Sequence, residues 1–191
     1  MLHRVQAFDA AVDAAFDQLR GRPNADRLFY AASALGDHSL VWLLLGGLRG
    51  LRHLGSPRSR RAAVRLGLTL ALESALVNGA IKSIFRRHRP TFGGPRPHYV
   101  RQPRTSSFPS GHASSAACAI VLMADEDPAW PLYLAVVLVV SASRVHVRIH
   151  HASDVVAGLA VGAALGLAVR RLAPLDGGRQ GGTESPPPVR R

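Results

Sequence analysis

The sequence predicts an all-α integral membrane protein, a helical bundle with about five transmembrane helices and an N-terminal amphipathic helix. Composition is the first observation, because 47% of the 191 residues are hydrophobic and only 6% are aromatic. An apolar content carried by Ala, Leu, Val and Gly suits helices that pack closely in a bilayer. The second observation is a succession of apolar segments separated by polar connectors, and the third is a helical repeat near the N-terminus.

The N-terminal helix, assigned to residues 1–22, is predicted from a repeat of acidic and apolar positions. Asp9, Asp13 and Asp17 recur every four residues. Apolar residues recur at steps of three and four, at Val5, Phe8, Val12, Phe16 and Leu19. Such a helix lies along the membrane interface or on the bundle, and a helix of a soluble domain is the alternative. Because acidic residues are foreign to the apolar core of a secretory signal peptide, we expect none here.

Five apolar segments follow, and each is a candidate transmembrane span. They are Leu28–Leu54, Ala62–Phe85, Ala113–Ala124, Ala129–Ser143 and Val155–Val169. The first is interrupted by Gly36-Asp37-His38, and the third reaches farther if its helix begins at Ser110. In the last, Gly158, Gly162 and Gly166 recur every four residues and predict a face that permits close helix approach.

The connectors differ in character, and together the segments fit one domain over residues 1–175. Residues 49–61 are basic and turn-rich, residues 86–108 form a long polar loop, and residues 125–128 form an acidic turn. Residues 176–191 are rich in Gly, Pro and charge, which predicts a disordered tail.

The formal net charge of +12 points to an anionic partner. Nucleic acid is excluded because the basic residues are interleaved with apolar runs and no recognition-helix, zinc or stacking pattern occurs. Anionic lipid headgroups or an anionic substrate fit better. The single cysteine, Cys118, rules out an internal disulfide.

Three groups of residues stand out against the apolar background. Lys82 is the only lysine in a chain whose other basic residues are Arg, and Arg89-Pro90 follows it. The second group is Pro109-Ser110-Gly111-His112, and the third is Ser143-Arg144 with His150 and Asp154. If successive spans alternate in direction, all three groups reach the same membrane face, so we expect them to form one site.

The residue types in these groups suit a phosphoryl group, whose oxygens carry negative charge. Lys82 offers a compact charge, whereas Arg89 and Arg144 offer planar forks for bidentate contacts. Ser110 and Gly111 stand where a loop enters a helix, and exposed backbone N–H groups at such a position bind anions.

The two histidines of these groups are candidates for nucleophile and acid. His150 precedes Asp154 by one helical turn, so the carboxylate can accept the Nδ1 proton and leave Nε2 free as a base or nucleophile. His112 comes from a different helix end and can protonate the departing oxygen. A neutral and a protonated histidine working together predict a bell-shaped dependence of activity on pH.

The three groups resemble the signature motifs of the type-2 phosphatidic acid phosphatase superfamily. Their spacing agrees, with six residues between Lys82 and Arg89, five between Arg144 and His150, and three between His150 and Asp154. The resemblance covers Lys82 to about Gly158 and extends loosely to the stretch from Asp26 to Asp37.

This resemblance implies a role for each motif residue. His150 would form a phosphohistidine, Asp154 would orient it, and His112 would be the general acid. The phosphate would be held by Lys82, Arg89, Ser110, Gly111 and Arg144. No metal ion or other cofactor is expected, and no cluster of Asp, Glu and His in the sequence suggests one.

Other polar residues leave alternatives open. Members of the superfamily often have Gly where this chain has Arg148 and an aromatic residue where it has His151. Arg148 would read a second phosphate or a headgroup, or face water, and His151 is a second possible base that the spacing to the Asp disfavours. Glu73 lies within a span, where we favour a structural bond to Ser74 or Asn78 over a functional role. His88 and His98 fit surface positions.

The leading hypothesis is a membrane phosphatase that hydrolyses a lipid monophosphate or diphosphate, such as a polyprenyl phosphate or diphosphate, phosphatidic acid or phosphatidylglycerol phosphate. The rivals are a soluble acid phosphatase or vanadate-dependent haloperoxidase, and a membrane protein that only binds lipid headgroups. Expected partners are the lipid substrate and the bilayer. We expect a multi-pass protein of the plasma membrane. Counting of positive charges leans towards an extracytoplasmic site, although the active-site face carries as many arginines as the opposite face.

Overall fold

The computed structural model describes residues 2–52, 55–93, 96–124 and 128–175, and its regular structure in these ranges is entirely helical. The all-α prediction is therefore confirmed. Residues 125–127 of the predicted acidic turn at 125–128 and the predicted tail at 176–191 lie outside the described residues.

Helix α1 (Leu2–Asp17) is the predicted N-terminal amphipathic helix. Its apolar side chains Val12 and Phe16 pack against a buried cluster contributed by α6, α7 and α8. The helix thus lies on the bundle, with its apolar face turned to the core.

Helices α2 (Pro23–Leu35) and α3 (Leu40–Arg52) form a bent pair that covers the first apolar segment. A proline opens α2, and a 3₁₀ turn at Asp37–Ser39 separates the two helices, which meet at an angle of 72°. The predicted interruption at Gly36-Asp37 is therefore a sharp change of direction.

A long helical segment follows and carries the chain to Lys82. Helix α4 (Pro57–Ser74) begins with a proline after Ser56, whose hydroxyl accepts from the Ser59 N–H at 3.4 Å. The helix widens into a π-helix at Ala75–Ile81 and ends in the short α5 (Lys82–Ile84). Such widened turns are frequent at functional sites.

Helix α6 (Gly111–Ala124) runs beside α8 (Ala152–Leu172), with α7 (Trp130–His146) packed against α6. A Cβ at Gly162 would lie 1.9 Å from the Ser114 carbonyl oxygen, and one at Gly158 would lie 2.4 Å from that of Ser110. The predicted glycine face of α8 therefore permits the close helix approach.

Within the described ranges, two helices are long and apolar enough to cross a membrane by themselves, Pro57–Ile84 and Ala152–Leu172. The bent α2–α3 pair makes a third if it counts as one span. Helices α6 and α7 are apolar but shorter. Each of the five predicted apolar segments is thus mainly helical over its described residues, but not every one is a full span. The 14 residues of α6 rise about 21 Å, less than the bilayer core of about 30 Å.

The two ends of the bundle are distinguished by their contacts. Arg65 near the start of α4 donates to the carbonyl oxygens of Leu122, at 3.4 Å, and Ala173, at 3.1 Å. The start of α4 therefore lies beside the ends of α6 and α8, and we call this the opposite end. The end of α5, the start of α6, the end of α7 and the start of α8 lie at the other end, called the site end.

Candidate active site

A cavity of about 270 Å³ at the site end brings together most of the predicted site residues. Its wall includes Lys82, Arg89, Gly111, His112, Arg144 and His150. The remaining two, Ser110 and Asp154, are fully buried behind this wall. Residues from three separate motifs thus meet in one place, as the alternation of span directions predicts.

Lys82 is presented to the cavity by the π-helix that precedes it. Its Nζ donates to Asn78 Oδ1 at 2.8 Å, and Asn78 Nδ2 donates to Ser74 Oγ at 3.2 Å. A Cβ at Gly111 would lie 3.2 Å from Asn78 Oδ1 and 3.7 Å from the Lys82 Nζ. The glycine therefore lets the first turn of α6 come close to the ammonium group.

Arg89 is fixed by the loop in which it lies. Its guanidinium donates to the carbonyl oxygens of Ile149 at 2.9 Å, Ser106 at 3.1 Å and Thr105 at 3.2 Å. Burial lowers the pKa of Arg89, with Asp154 acting in the opposite direction. The group remains a cation at neutral pH, since an unperturbed arginine titrates far above it.

Arg144 brings a second guanidinium from the end of α7. It is only 1% exposed and donates through Nη1 to the hydroxyl of Ser33 on α2. A buried guanidinium that is held by a hydrogen bond to Ser33 and lines the cavity is suited to bind an anion.

Ser110 and Gly111 form the entry to α6. The Ser110 N–H donates to the Asp154 carbonyl oxygen at 3.0 Å, and its hydroxyl accepts from the Ala113 N–H at 3.5 Å. The serine side chain therefore caps the helix rather than lining the cavity, whereas Gly111 lies on the cavity wall.

His150 lies in the short connection between α7 and α8. Arg89 Nη1 is 3.3 Å from His150 Nε2, and because a guanidinium only donates, Nε2 is the acceptor and the ring proton is on Nδ1. Nδ1 is 3.7 Å from Asp154 Oδ2, an ion-pair distance that is longer than a hydrogen bond. Burial, helped by Arg144 and Arg89, lowers the pKa of His150 to about 3 against the opposing effect of Asp154. The imidazole is therefore neutral at physiological pH, with its lone pair on Nε2.

Asp154 is held by several donors at the start of α8. Its Oδ2 accepts from the Ser107 hydroxyl at 2.7 Å and the His151 N–H at 2.9 Å. Its Oδ1 accepts from Arg87 Nη1 at 2.7 Å. These contacts fix the carboxylate in its place behind His150.

His112 lies next to a different carboxylate, that of Asp37. Its Nε2 lies 2.9 Å from Asp37 Oδ1, although the ring nitrogen makes no aligned hydrogen bond. A Cβ at Gly36 would lie 2.6 Å from His112 Cδ2. The Gly36-Asp37 break between α2 and α3 therefore supplies both the space and the acidic partner for this ring.

The residues that departed from the family pattern have structural explanations. Arg148 has φ +48°, a left-handed conformation that favours glycine. Its guanidinium binds Asp17 at 2.8 Å and Asp13 at 3.1 Å, so it faces α1 rather than water or a second phosphate. His151 caps α8, and its Nε2 lies 3.3 Å from the His88 carbonyl oxygen.

Glu73 differs from the favoured expectation of a bond to Ser74 or Asn78. Those two residues bond to each other, whereas Glu73 lines the cavity. It is 1% exposed, and its Oε1 has no hydrogen-bond partner among the described residues. The carboxyl group therefore adds a polar atom to the cavity wall.

Several polar residues around the site were not predicted as site residues. Arg87 connects α1 to Asp154, and His146 Nε2 bonds Asp26 Oδ1 at 2.8 Å. His146 lies next to an apolar run and its partner is 120 positions away in the chain, so no local spacing could reveal the pair. For Arg87, the only indication in the sequence is its position between the motif residues Lys82 and Arg89.

Among the described residues, no group of three or more His, Cys, Asp and Glu is placed to hold a metal ion.

An all-helical membrane bundle with a cationic cavity and an aspartate-backed histidine defines a membrane phosphatase. The chain belongs to the PAP2 superfamily, whose sequence model matches residues 62–176. The resemblance to the type-2 phosphatidic acid phosphatases is thereby confirmed, and the protein is a phosphatase.

Three known proteins illustrate the similarity. The decaprenylphosphoryl-5-phosphoribose phosphatase of Mycobacterium tuberculosis is 34% identical over 148 residues, which cover 78% of each chain. The undecaprenyl-diphosphatase of Sulfolobus acidocaldarius is 33% identical over 105 residues, covering 51% of this chain and 50% of that protein. The crystal structure of a transmembrane PAP2-type phosphatidylglycerolphosphate phosphatase from Bacillus subtilis has a TM-score of 0.64 and 24% identity, covering 88% of this chain and 86% of that one. This last likeness shows the fold.

Proposed function

We propose that the protein hydrolyses a phosphate monoester or diphosphate carried by a membrane lipid, through a phosphohistidine on His150 and without a metal ion. The observation that carries this proposal is the state of His150. Its neutral ring has Nε2 as an acceptor beside Arg89, at 3.3 Å, and has Asp154 behind Nδ1. A nucleophile backed by a carboxylate and next to a cation is suited to attack a bound phosphoryl group.

In the first step the Nε2 lone pair attacks phosphorus and the bond from phosphorus to the leaving oxygen breaks. His112 donates its proton to that oxygen, so the alcohol or phosphate leaves in protonated form. In the second step water attacks the phosphohistidine, His112 accepts a proton from the water, and the nitrogen–phosphorus bond breaks to release inorganic phosphate. His112 is protonated again at the end of the cycle.

The cage residues stabilise the charge that the phosphoryl oxygens carry. Lys82, Arg89 and Arg144 supply the positive charges, and the backbone N–H of Gly111 lies where α6 begins. Donors that are already fixed by protein contacts need no reorganisation during the reaction. Ser110 contributes to this arrangement by capping α6.

A polyprenyl-linked phosphate ester is the substrate class that the relatives favour. The similar mycobacterial protein acts on decaprenylphosphoryl-5-phosphoribose and the archaeal one is an undecaprenyl-diphosphatase. In addition to the cationic cage, the cavity wall carries Glu73 and several neutral polar side chains. The neutral ones are Ser39, Ser74, Asn78, Thr105 and Ser115. Such a wall suits a hydroxyl-bearing group next to the phosphate, so a phosphorylated sugar on a polyprenyl phosphate is the first candidate.

The fold and the charge pattern support two further parts of this proposal. Residues 1–175 act as a single membrane-embedded phosphatase domain. We place the protein in the plasma membrane as a multi-pass protein with the cavity on the extracytoplasmic side.

The test is phosphate release by detergent-purified protein in the presence of a metal chelator. The panel contains a polyprenyl-linked phosphoribose, a polyprenyl phosphate and diphosphate, phosphatidic acid and phosphatidylglycerol phosphate. We expect turnover without added metal and the highest kcat/KM for a polyprenyl substrate. Loss of all turnover with the chelator would contradict metal independence, and binding without turnover would favour the headgroup-binding rival.

Two variants assign the roles of the histidines. His150→Ala should abolish turnover because the side chain forms the covalent bond. His112→Ala should also be severely impaired, but a substrate with a good leaving group should partly restore its rate because that group needs no acid. Equal responses of both variants to leaving-group quality would show that the roles are assigned wrongly.

A further inference from the structure

Asp9 belongs to α1 but is buried among groups of the active site. It is only 7% exposed. Its Oδ1 accepts from the Ser153 N–H at 2.8 Å, and its Oδ2 accepts from the Ser153 hydroxyl at 2.9 Å. A carboxylate from the N-terminal helix therefore binds the first turn of α8, next to Asp154.

Asp9 also binds the arginine that holds Asp154. Arg87 Nη2 donates to Asp9 Oδ2 at 2.6 Å, and Arg87 Nη1 donates to Asp154 Oδ1 at 2.7 Å. The same Nη1 lies 2.7 Å from the Ser153 hydroxyl. One guanidinium thus connects two buried carboxylates, and the second of them lies behind His150.

The charges of this cluster explain why a second carboxylate matters. When the Nε2 of His150 takes a phosphoryl group, the ring becomes a cation because Nδ1 keeps its proton. A carboxylate behind the ring stabilises that cation. Arg87 paired with Asp154 alone would cancel the negative charge, whereas Asp9 leaves one net negative charge beside the ring.

We propose that Asp9 is a positioning residue for phosphoryl transfer, which binds Arg87 so that Asp154 keeps its place and its charge towards His150. This inference rests on the proposed role of His150 as nucleophile. It makes the N-terminal helix part of the catalytic apparatus, although, among the described residues, the cavity wall contains none of α1.

The other acidic residues of α1 provide the contrast. Asp17 binds Arg20 at 2.7 Å and Arg148 at 2.8 Å, with its side chain 53% exposed. Among the described residues, neither arginine forms a hydrogen bond to Asp154. Asp17→Asn therefore removes a charge from the same helix face without altering the cluster, and is the matched control for Asp9→Asn.

The experiment compares Asp9→Asn, Asp17→Asn, Arg87→Gln and the double variant Asp9→Asn with Arg87→Gln. Farnesyl phosphate in detergent is the kinetic probe. We expect Asp9→Asn to lower kcat roughly 10- to 100-fold, the range for loss of an outer partner of a functional histidine at metal sites. KM and inhibition by inorganic phosphate should stay near wild type because the cage is intact. In the Arg87→Gln background, the Asp9 change should add little.

A second measurement does not depend on turnover. Diethyl pyrocarbonate acylates neutral imidazole and also builds positive charge on the ring. Its rate at His150, followed by mass spectrometry of the peptide, should fall in Asp9→Asn and stay unchanged in Asp17→Asn. If the wild type hydrolyses no lipid phosphate, the proposed function fails, but this rate still decides the role of Asp9.

The role of Asp9 would be overturned by wild-type kcat and acylation rate in Asp9→Asn. It would also be overturned if the two changes acted independently, so that kcat of the double variant fell by the product of the two single-variant factors. Weaker inhibition by inorganic phosphate in Asp9→Asn would indicate a general loss of site structure instead. A thermal unfolding temperature near wild type confirms that the variant is folded.

Discussion

At the residue scale, Lys82 is held by a neutral amide. The Asn78 Oδ1 that accepts from Nζ at 2.8 Å positions the ammonium group without cancelling its charge. An acidic partner at that distance would compete with the phosphate for the same cation. Because the other basic residues of the chain are all Arg, the single lysine indicates that this position needs a compact charge.

Substitution of Lys82 tests this need. Lys82→Ala should lower kcat/KM by roughly two to three orders of magnitude, as does the loss of one oxyanion-stabilising donor. Lys82→Arg should recover little, because the larger planar group does not fit between Asn78 and Gly111. The rates are measured on a short-chain lipid phosphate, with Arg61→Lys at the opposite end as control. Near-wild-type activity in Lys82→Arg would show that charge alone suffices.

The sequence predicts which residues meet at the site better than it predicts what surrounds them. His150 and Asp154 are one turn apart, so their proximity follows from helix geometry. Arg87 and Asp9 are 78 positions apart, and only the packing of α1 on the bundle brings them together. Partners that depend on tertiary packing leave no local periodicity to detect.

At the element scale, the apolar segments predict the helices because a backbone in a bilayer must satisfy its hydrogen bonds internally. Which residues the acidic face of α1 contacts could not be predicted in the same way. Periodicity shows that Asp9, Asp13 and Asp17 share a face, but not what that face meets. In the fold it meets Arg20, Arg87 and Arg148, so the helix is bound to the site end.

The contact between α6 and α8 gives a prediction at this scale. Gly162→Ala should destabilise the protein, because its Cβ would lie 1.9 Å from the Ser114 carbonyl oxygen and 2.6 Å from the carbonyl carbon. Backbone cannot move aside cheaply, and overpacking costs about 1–3 kcal/mol or more. Thermal unfolding in detergent measures the loss.

The matched control for this change is Gly67→Ala within α4. A Cβ at Gly67 would meet nothing within 4 Å, and alanine is the better helix former by about 1 kcal/mol. Gly67→Ala should therefore unfold at or above the wild-type temperature. Equal unfolding temperatures for Gly162→Ala and the wild type would show that α6 and α8 have room to separate.

At the scale of the whole molecule, the candidate site lies at one end of the bundle and the basic segment 49–61 lies at the other. The polar loop 86–108 and the cavity lie at the site end. The segment 49–61, predicted as a basic connector, is instead largely helical, because α3 extends to Arg52 and α4 begins at Pro57. It lies at the opposite end, where Arg65 binds the last turns of α6 and α8. Arginines near the ends of spans favour the cytoplasmic side, and this charge pattern is the basis for the proposal that the cavity faces the outside.

Cysteine labelling in intact cells tests this orientation. Tyr99 in the site-end loop is 88% exposed, whereas the native Cys118 is fully buried and should not react. A membrane-impermeant maleimide should therefore label Tyr99→Cys in intact cells. Ser59→Cys, at the start of α4, should react only after the membrane is permeabilised, because the proposed orientation turns that end to the cytoplasm. The reverse pattern would place the cavity inside the cell and would require the substrate phosphate to be presented on the cytoplasmic leaflet.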